Sequence, residues 1–205
     1  MTGTAAVPIR APIAAEDQAR ADVYALLGRL FTAAPDAALL QALGGTERLD
    51  AAAGSWPLAF NRLADASSVM DAEAAGQEYT DLFIGVGQSE VSLHATYWLE
   101  GREAPLAALR GELSALGLSR RPEASLMEDH LGPLLETMRI LISGAPGVAP
   151  VPIATQRAFF ERWVGGWAEK CCGAIDRTSI ANYYRRVAEC TKCFLALERD
   201  SFAID

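Results

Sequence analysis

Residues 78–101, EYTDLFIGVGQSEVSLHATYWLEG, decide between an all-helical chain and a mixed one. Tyr79, Leu82 and Phe83 fall at i, i+3 and i+4, with Glu78 and Asp81 on the polar side, which predicts one turn-by-turn helical face. Gly85 and Gly87 then break the helix. A run of polar and small residues leads to the aromatic pair Tyr97-Trp98 and a stop at Gly101. Residues 86–93 are the one place where period-2 alternation can be argued, and the run is too short to set a strand. The stretch therefore predicts helix, glycine loop and a second short helix. Such a loop beside acids and aromatics suits a recognition surface on a rigid scaffold; the plainer reading on composition alone is a helix, its C-terminal cap and another helix.

Outward from this stretch the pattern is helical throughout. Upstream, 16–32 carries Val23, Leu26, Leu27, Leu30 and Phe31 on one stripe, with Tyr24 beside it. Pro35 separates it from a helix over 36–43, which Gly44-Gly45 stops. Thr46 is expected to cap a turn over 47–53. Pro57 opens the next helix, and Ser67 or Ser68 is expected to cap the one that enters the central stretch. Downstream, 103–116 has Leu106, Leu109, Leu113 and Leu116 as its stripe, ended by Gly117. Ser125 and Glu128 form a capping-box signature ahead of Leu131, Leu134, Leu135, Met138, Leu141 and Ile142. After the loop GAPGVAPVP, a long helix is expected over 155–172, ended by Gly173. Asp176 is expected to cap the last one, to about Glu198. The fold class is all-α, one helical domain of roughly nine or ten helices. Residues 1–15 read as a flexible lead. Residues 16–117 and 125–205 read as halves joined by a polar hinge, LSRRPEA, at 118–124.

Composition narrows the function. Of 205 residues, 51% are hydrophobic and the formal net charge is −8. General nucleic-acid binding, which needs a basic footprint, is disfavoured. No run approaches the roughly 18 apolar residues of a membrane span, and the lead lacks the apolar core of a signal peptide. A cytoplasmic location without membrane insertion is expected. The acidic excess is concentrated: residues 71–105 hold seven acids against Arg102 alone. This reads either as a solvated face or as a cation-attracting site.

Chemistry-bearing motifs are sparse. Cys171, Cys172, Cys190 and Cys193 do not form paired zinc knuckles, and read as free thiols packing two helices. His94 and His130 lack a short ligand spacing and have to meet through the fold to make a metal centre. Phosphate-loop and serine-elbow signatures are absent. Glu128-Asp129-His130 reads either as acids favouring a helix start or as a compact hydrogen-bonding site.

Four segments in order resemble the TorD/DmsD family of redox-enzyme maturation chaperones, with its NarJ branch. ARADVYALLGRLFTAAP resembles R-x-x-x-Y-x-L-L-x-x-x-F-x-x-x-P. EYTDLFIGVG resembles E-Y-x-x-L-F-x-G-P-G, and EDHLGPLLETM resembles P-x-D-H-x-x-x-E-L-x-x-M. FFERWVGGW with YYRRVAECTKCFLALE resembles the closing helix pair. Val86 and Met127 stand where the family has prolines, which relaxes the backbone there.

The resemblance implies a cytoplasmic, all-helical, non-catalytic chaperone. It binds an apo molybdoenzyme catalytic subunit and its twin-arginine signal peptide until cofactor is inserted. Arginines next to an apolar segment call for carboxylates beside aromatic surface. Carried over by position, the client-binding residues are Tyr24, Glu78, Asp81, Phe83, Gly87, Asp129 and His130, with Tyr97 and Trp98 matching less closely. No cofactor or metal is implied; guanine-nucleotide binding comes by family analogy only and has no signature here. The client stays open among formate dehydrogenase, sulfoxide or N-oxide reductase and nitrate-reductase types, with a lean to the first. The oligomer is a monomer or a dimer swapped across the hinge. The rival reading is a metal-dependent or hydrolytic helical enzyme using His94, His130 and nearby carboxylates.

Overall fold

A computed structural model describes residues 13–85, 87–99 and 105–204. Most of the lead, Val86, and the predicted Gly101 stop and Glu103 helix start lie outside the described residues.

The described residues form ten α-helices: α1 (Ala15–Thr32), α2 (Ala37–Gly44), α3 (Ser55–Val69), α4 (Ala72–Tyr79), α5 (Ala95–Trp98), α6 (Pro105–Ala115), α7 (Leu131–Ser143), α8 (Ile153–Trp163), α9 (Gly165–Arg177) and α10 (Tyr183–Ile204). A 3-10 turn spans Ala51–Ala53 and a π-helical turn, Thr80–Ile84, extends α4. Among the described residues there is no strand, only isolated bridges at His94–His130 and Ala145–Val148. The all-α expectation holds.

The core is a single cluster that draws on both halves of the chain. α1 packs along α7, and α10 packs against α3 and α9. Residues 118–124 cross the surface between elements that share this core. The α1–α7 crossing is close because two glycines meet there. A Cβ on Gly132 would lie 2.2 Å from Thr32 Oγ1 and 3.1 Å from the Gly28 carbonyl oxygen. α1 is tied to α10 by a buried charge. Glu198, 2% exposed, accepts from Arg20 Nε at 2.8 Å, Arg20 Nη2 at 2.9 Å and the Tyr24 hydroxyl at 3.0 Å. The Arg20/Tyr24 pair of the opening motif is thus one lock. Burial of ion pairs is costly unless their remaining donors are satisfied, and here Asp17 and Gln156 take further guanidinium bonds.

Several helix boundaries differ from expectation, some because a neighbouring residue caps instead and some because a tertiary contact intervenes. Thr46 instead donates back to the Leu43 carbonyl, and Asp50 caps the 3-10 turn. Ser67 lies inside α3, donating to the Leu63 carbonyl and bonded to the Tyr183 hydroxyl; Asp71 caps α4. Ser125 and Glu128 precede α7 without starting it. Glu128 and Asp129 form a turn, backbone bonds from Ala95 to the Asp129 carbonyl and from Leu131 to the Leu93 carbonyl dock it, and α7 starts only after His130, whose Nδ1 accepts from the Gly132 amide. The long helix over 155–172 is broken at Val164 (φ −122°). A Cβ at Gly165 would lie 2.9 Å from the Phe160 ring, so the close approach at this break needs glycine. Gly173 and Asp176 both lie inside α9.

Cys171 and Cys172 on α9 and Cys190 on α10 are buried free thiols, and Cys193 is half-buried. Burial pushes the Cys171 thiol up to about 12 and the Cys172 and Cys190 thiols upward too, so none of these three is a ready thiolate.

Candidate functional site: the central turn, the Asp129 junction and the adjoining groove

The central motif is first a structural knot. Glu78 reaches across to α10, where its carboxylate accepts from the amides of Asn182, Tyr183 and Tyr184 at 2.8, 3.0 and 2.8 Å. These are donors that a helix start leaves without intrahelical partners, and a carboxylate there also opposes the helix dipole. Tyr79 donates to the carbonyls of Phe31 and Thr32, both at 3.1 Å, closing the end of α1. Leu82 is fully buried, and Phe83 stacks edge-on against Tyr79 and Tyr184.

The helix then widens into the π-turn, and Gly85 (φ +61°) stops it with its amide on the Thr80 carbonyl at 2.8 Å. A Cβ on Gly85 would lie 2.3 Å from the Gln88 carbonyl oxygen, so the turn needs glycine. π-turns of this kind often mark functional sites. This one presents Asp81 outward, accepting from Gln77 Nε2 at 2.8 Å, and leaves Ile84 60% exposed.

The second element is the junction at Asp129. The Asp129 backbone carbonyl accepts from Ala95, and Leu93 O accepts from Leu131, so the loop after the glycines is docked on the segment before α7. The Asp129 carboxylate accepts from His94 Nδ1 at 3.0 Å, Thr96 Oγ1 at 2.8 Å and the Thr96 amide at 3.2 Å. Burial works to raise its pKa, but the bonds from His94 and Thr96 prevail and hold it at about 2. His130 packs edge-on to His94, with centroids 5.1 Å apart. Burial, with the His94 charge, pulls His130 down to about 4, so it stays a neutral cap on α7. The two histidines do meet through the fold. Even so, Asp129 is occupied by His94 and Thr96 and His130 by the Gly132 amide, and no cluster of three or more His, Cys, Asp or Glu among the described residues is arranged to hold a metal.

The predicted residues therefore part into inner and outer sets. Tyr24, Glu78, Phe83, Asp129 and His130 build the scaffold, and Trp98 is half-buried with its indole N–H on the Ser92 carbonyl. Asp81, Gly87 and Tyr97 face outward, Tyr97 being 64% exposed. The third element carried no signal in the sequence. A groove of about 380 Å³ opens between α6, residues 118–128 and α7, walled mainly by Leu113, Leu118, Leu126, Pro133 and Ile140. Its rim includes the polar segment that composition alone marks as a hinge. Glu128, next to Asp129, lies at the groove and is held by Arg110 at 3.0 and 3.1 Å.

The family model for the nitrate reductase delta subunit matches residues 47–173. The chain belongs to this family. It is a family of molybdoenzyme maturation chaperones that act with molybdoenzyme catalytic subunits, in line with the TorD/DmsD and NarJ resemblance. No curated protein sequence matches the chain. The matched span runs from before α3 into α9. It contains the central knot, the Asp129 junction and the groove, while α1 and α10, which clamp them, lie outside it. Among the described residues no helix is long and apolar enough to cross a membrane.

Proposed function

We propose that this chain is a cytoplasmic, non-catalytic chaperone that binds the precursor of a molybdenum-cofactor oxidoreductase, including its twin-arginine signal peptide, and holds the apo subunit while cofactor is inserted. The observation that carries the proposal is the family match across the span holding the central turn and the groove. The surface supports it. Asp81 stands exposed at the π-turn, with Ile84 and Tyr97 exposed on either side of the glycine loop in the chain. An arginine pair followed by an apolar run finds a carboxylate and apolar surface there. Asp129 and His130 act in this scheme as positioning residues that fix the loop, and Glu78 and Tyr24 as scaffold.

Calorimetric titration of the full chain with a synthetic twin-arginine signal peptide tests the proposal. Wild type is expected to bind, and an Asp81→Asn/Tyr97→Ala variant of unchanged helicity to bind at least about tenfold more weakly, a loss of about 1.4 kcal/mol. Binding untouched by that variant would remove this surface from the recognition site.

A further inference from the structure

The groove under residues 118–128 carries a charge that a twin-arginine peptide does not match. Its floor is apolar, and at about 380 Å³ it falls within the ~300–1,000 Å³ of ligand clefts. Its two acids are already neutralised. Glu128 is held by Arg110 through both oxygens, and Glu136 by Arg139 at 2.7–2.9 Å. The two lining arginines make no ion pair among the described residues, although Arg120 lies near enough to Glu128 to help lower its pKa. Arg120 donates to the Leu126 backbone carbonyl at 3.1 Å, and Arg121 is exposed. The loop also carries Glu123, which does not line the groove, so that Arg110, Arg120 and Arg121 stand there against Glu123 and Glu128. On a chain of net charge −8, this rim is locally basic.

We propose that the groove binds a segment of the client that combines apolar side chains with flanking carboxylates, separately from the signal peptide's arginines. The apolar residues fill the floor between α6 and α7, and the carboxylates meet Arg120 and Arg121. The proposal rests on the chaperone reading in assigning the segment to the client. It divides the client between two surfaces of opposite charge, with arginines toward Asp81 and acids toward the 118–128 rim.

Two fluorescent amphipathic peptides with identical apolar residues, one flanked by Glu and one by Lys, test it by anisotropy on the full chain. The Glu-flanked peptide is expected to bind about tenfold or more tighter, equal to about 1.4 kcal/mol, and the preference to shrink with salt. Arg120→Glu/Arg121→Glu, two exposed changes, is expected to reverse the preference, and Leu126→Asp to weaken the Glu-flanked peptide. Equal or tighter binding of the Lys-flanked peptide, or a preference indifferent to the reversal, overturns the proposal. So does a wild-type dimer by light scattering that dissociates in the reversal variant, since it would assign the groove to a second copy. If neither peptide binds while the chain still retains a molybdoenzyme subunit, the groove proposal falls and the chaperone reading stands. If the Glu-flanked peptide binds as expected and no such subunit is retained, the groove is an acidic-peptide site and the chaperone reading falls.

Discussion

Replacing Glu78 separates scaffold from recognition within the central motif. Its carboxylate is the sole side-chain acceptor for the amides of Asn182, Tyr183 and Tyr184 among the described contacts. Glu78→Ala leaves these donors to water at the start of the 22-residue α10. Hydrogen bonds to a charged acceptor contribute about 1.5–3 kcal/mol, and loss of an N-terminal cap typically costs about 1 kcal/mol. Because the site is half-buried, water recovers part of this, and a net cost of about 2 kcal/mol follows. For a chain of this size that lowers Tm by roughly 4–8 °C. Glu78→Gln keeps an acceptor oxygen and is expected to lose about half as much. Thermal and urea unfolding followed by circular dichroism measures both, and signal-peptide affinity well below Tm should match wild type. An unchanged Tm together with lost peptide binding would refute the scaffold assignment and make Glu78 a contact residue.

Three further outcomes follow from the packing. Gly132→Ala places a methyl group 2.2 Å from Thr32 Oγ1 at the α1–α7 crossing, and should cost about 1–3 kcal/mol in urea unfolding; a neutral result would mean that the helices separate freely. Arg20→Ala leaves Glu198 buried at 2% exposure without its cation, and should cost about 3–5 kcal/mol, whereas Arg20→Lys should retain part of it; an alanine effect under about 1 kcal/mol would contradict the lock. His130 titrates near 4 when folded against 6.5 when free, so between these values the unfolded chain takes up a proton that the folded chain refuses. Stability therefore falls as pH drops through this window, by about 2–3 kcal/mol between pH 7 and 4.5. His130→Asn, which keeps a capping oxygen, should remove that slope, and parallel slopes would refute it. Asp129, held near 2, contributes stability that is lost only below about pH 4 and leaves this window clear.

How much of this the sequence makes legible depends on the range of the interaction. The buried stripe of α7 follows from helical periodicity, because every residue from Leu131 to Ile142 on the expected face is buried; on α1 the buried face is turned toward Ala21 and Tyr24, and Val23 and Leu26 are only partly buried, because α10 and α7 cover that side. Helix starts are less legible, because a cap can come from anywhere. Glu78 caps a helix 104–106 residues downstream, and the local candidate, Asp176, is consumed inside α9. Similarly, the capping-box pair Ser125/Glu128 loses to Arg110 and to backbone pairing with residues 93–95. His94 and Asp129 are 35 residues apart, and their bond exists only once the loop is docked. The groove is least legible, since its floor comes from three elements and its rim has the composition of a linker.

Affinity capture of cytoplasmic proteins by the tagged chain, with bound subunits identified by mass spectrometry, tests the central claim most directly. The account predicts retention of the apo catalytic subunit of a molybdenum-cofactor oxidoreductase, and its loss with the Asp81→Asn/Tyr97→Ala variant. Capture at wild-type strength that never includes such a subunit, from cells shown to be making one, would contradict it.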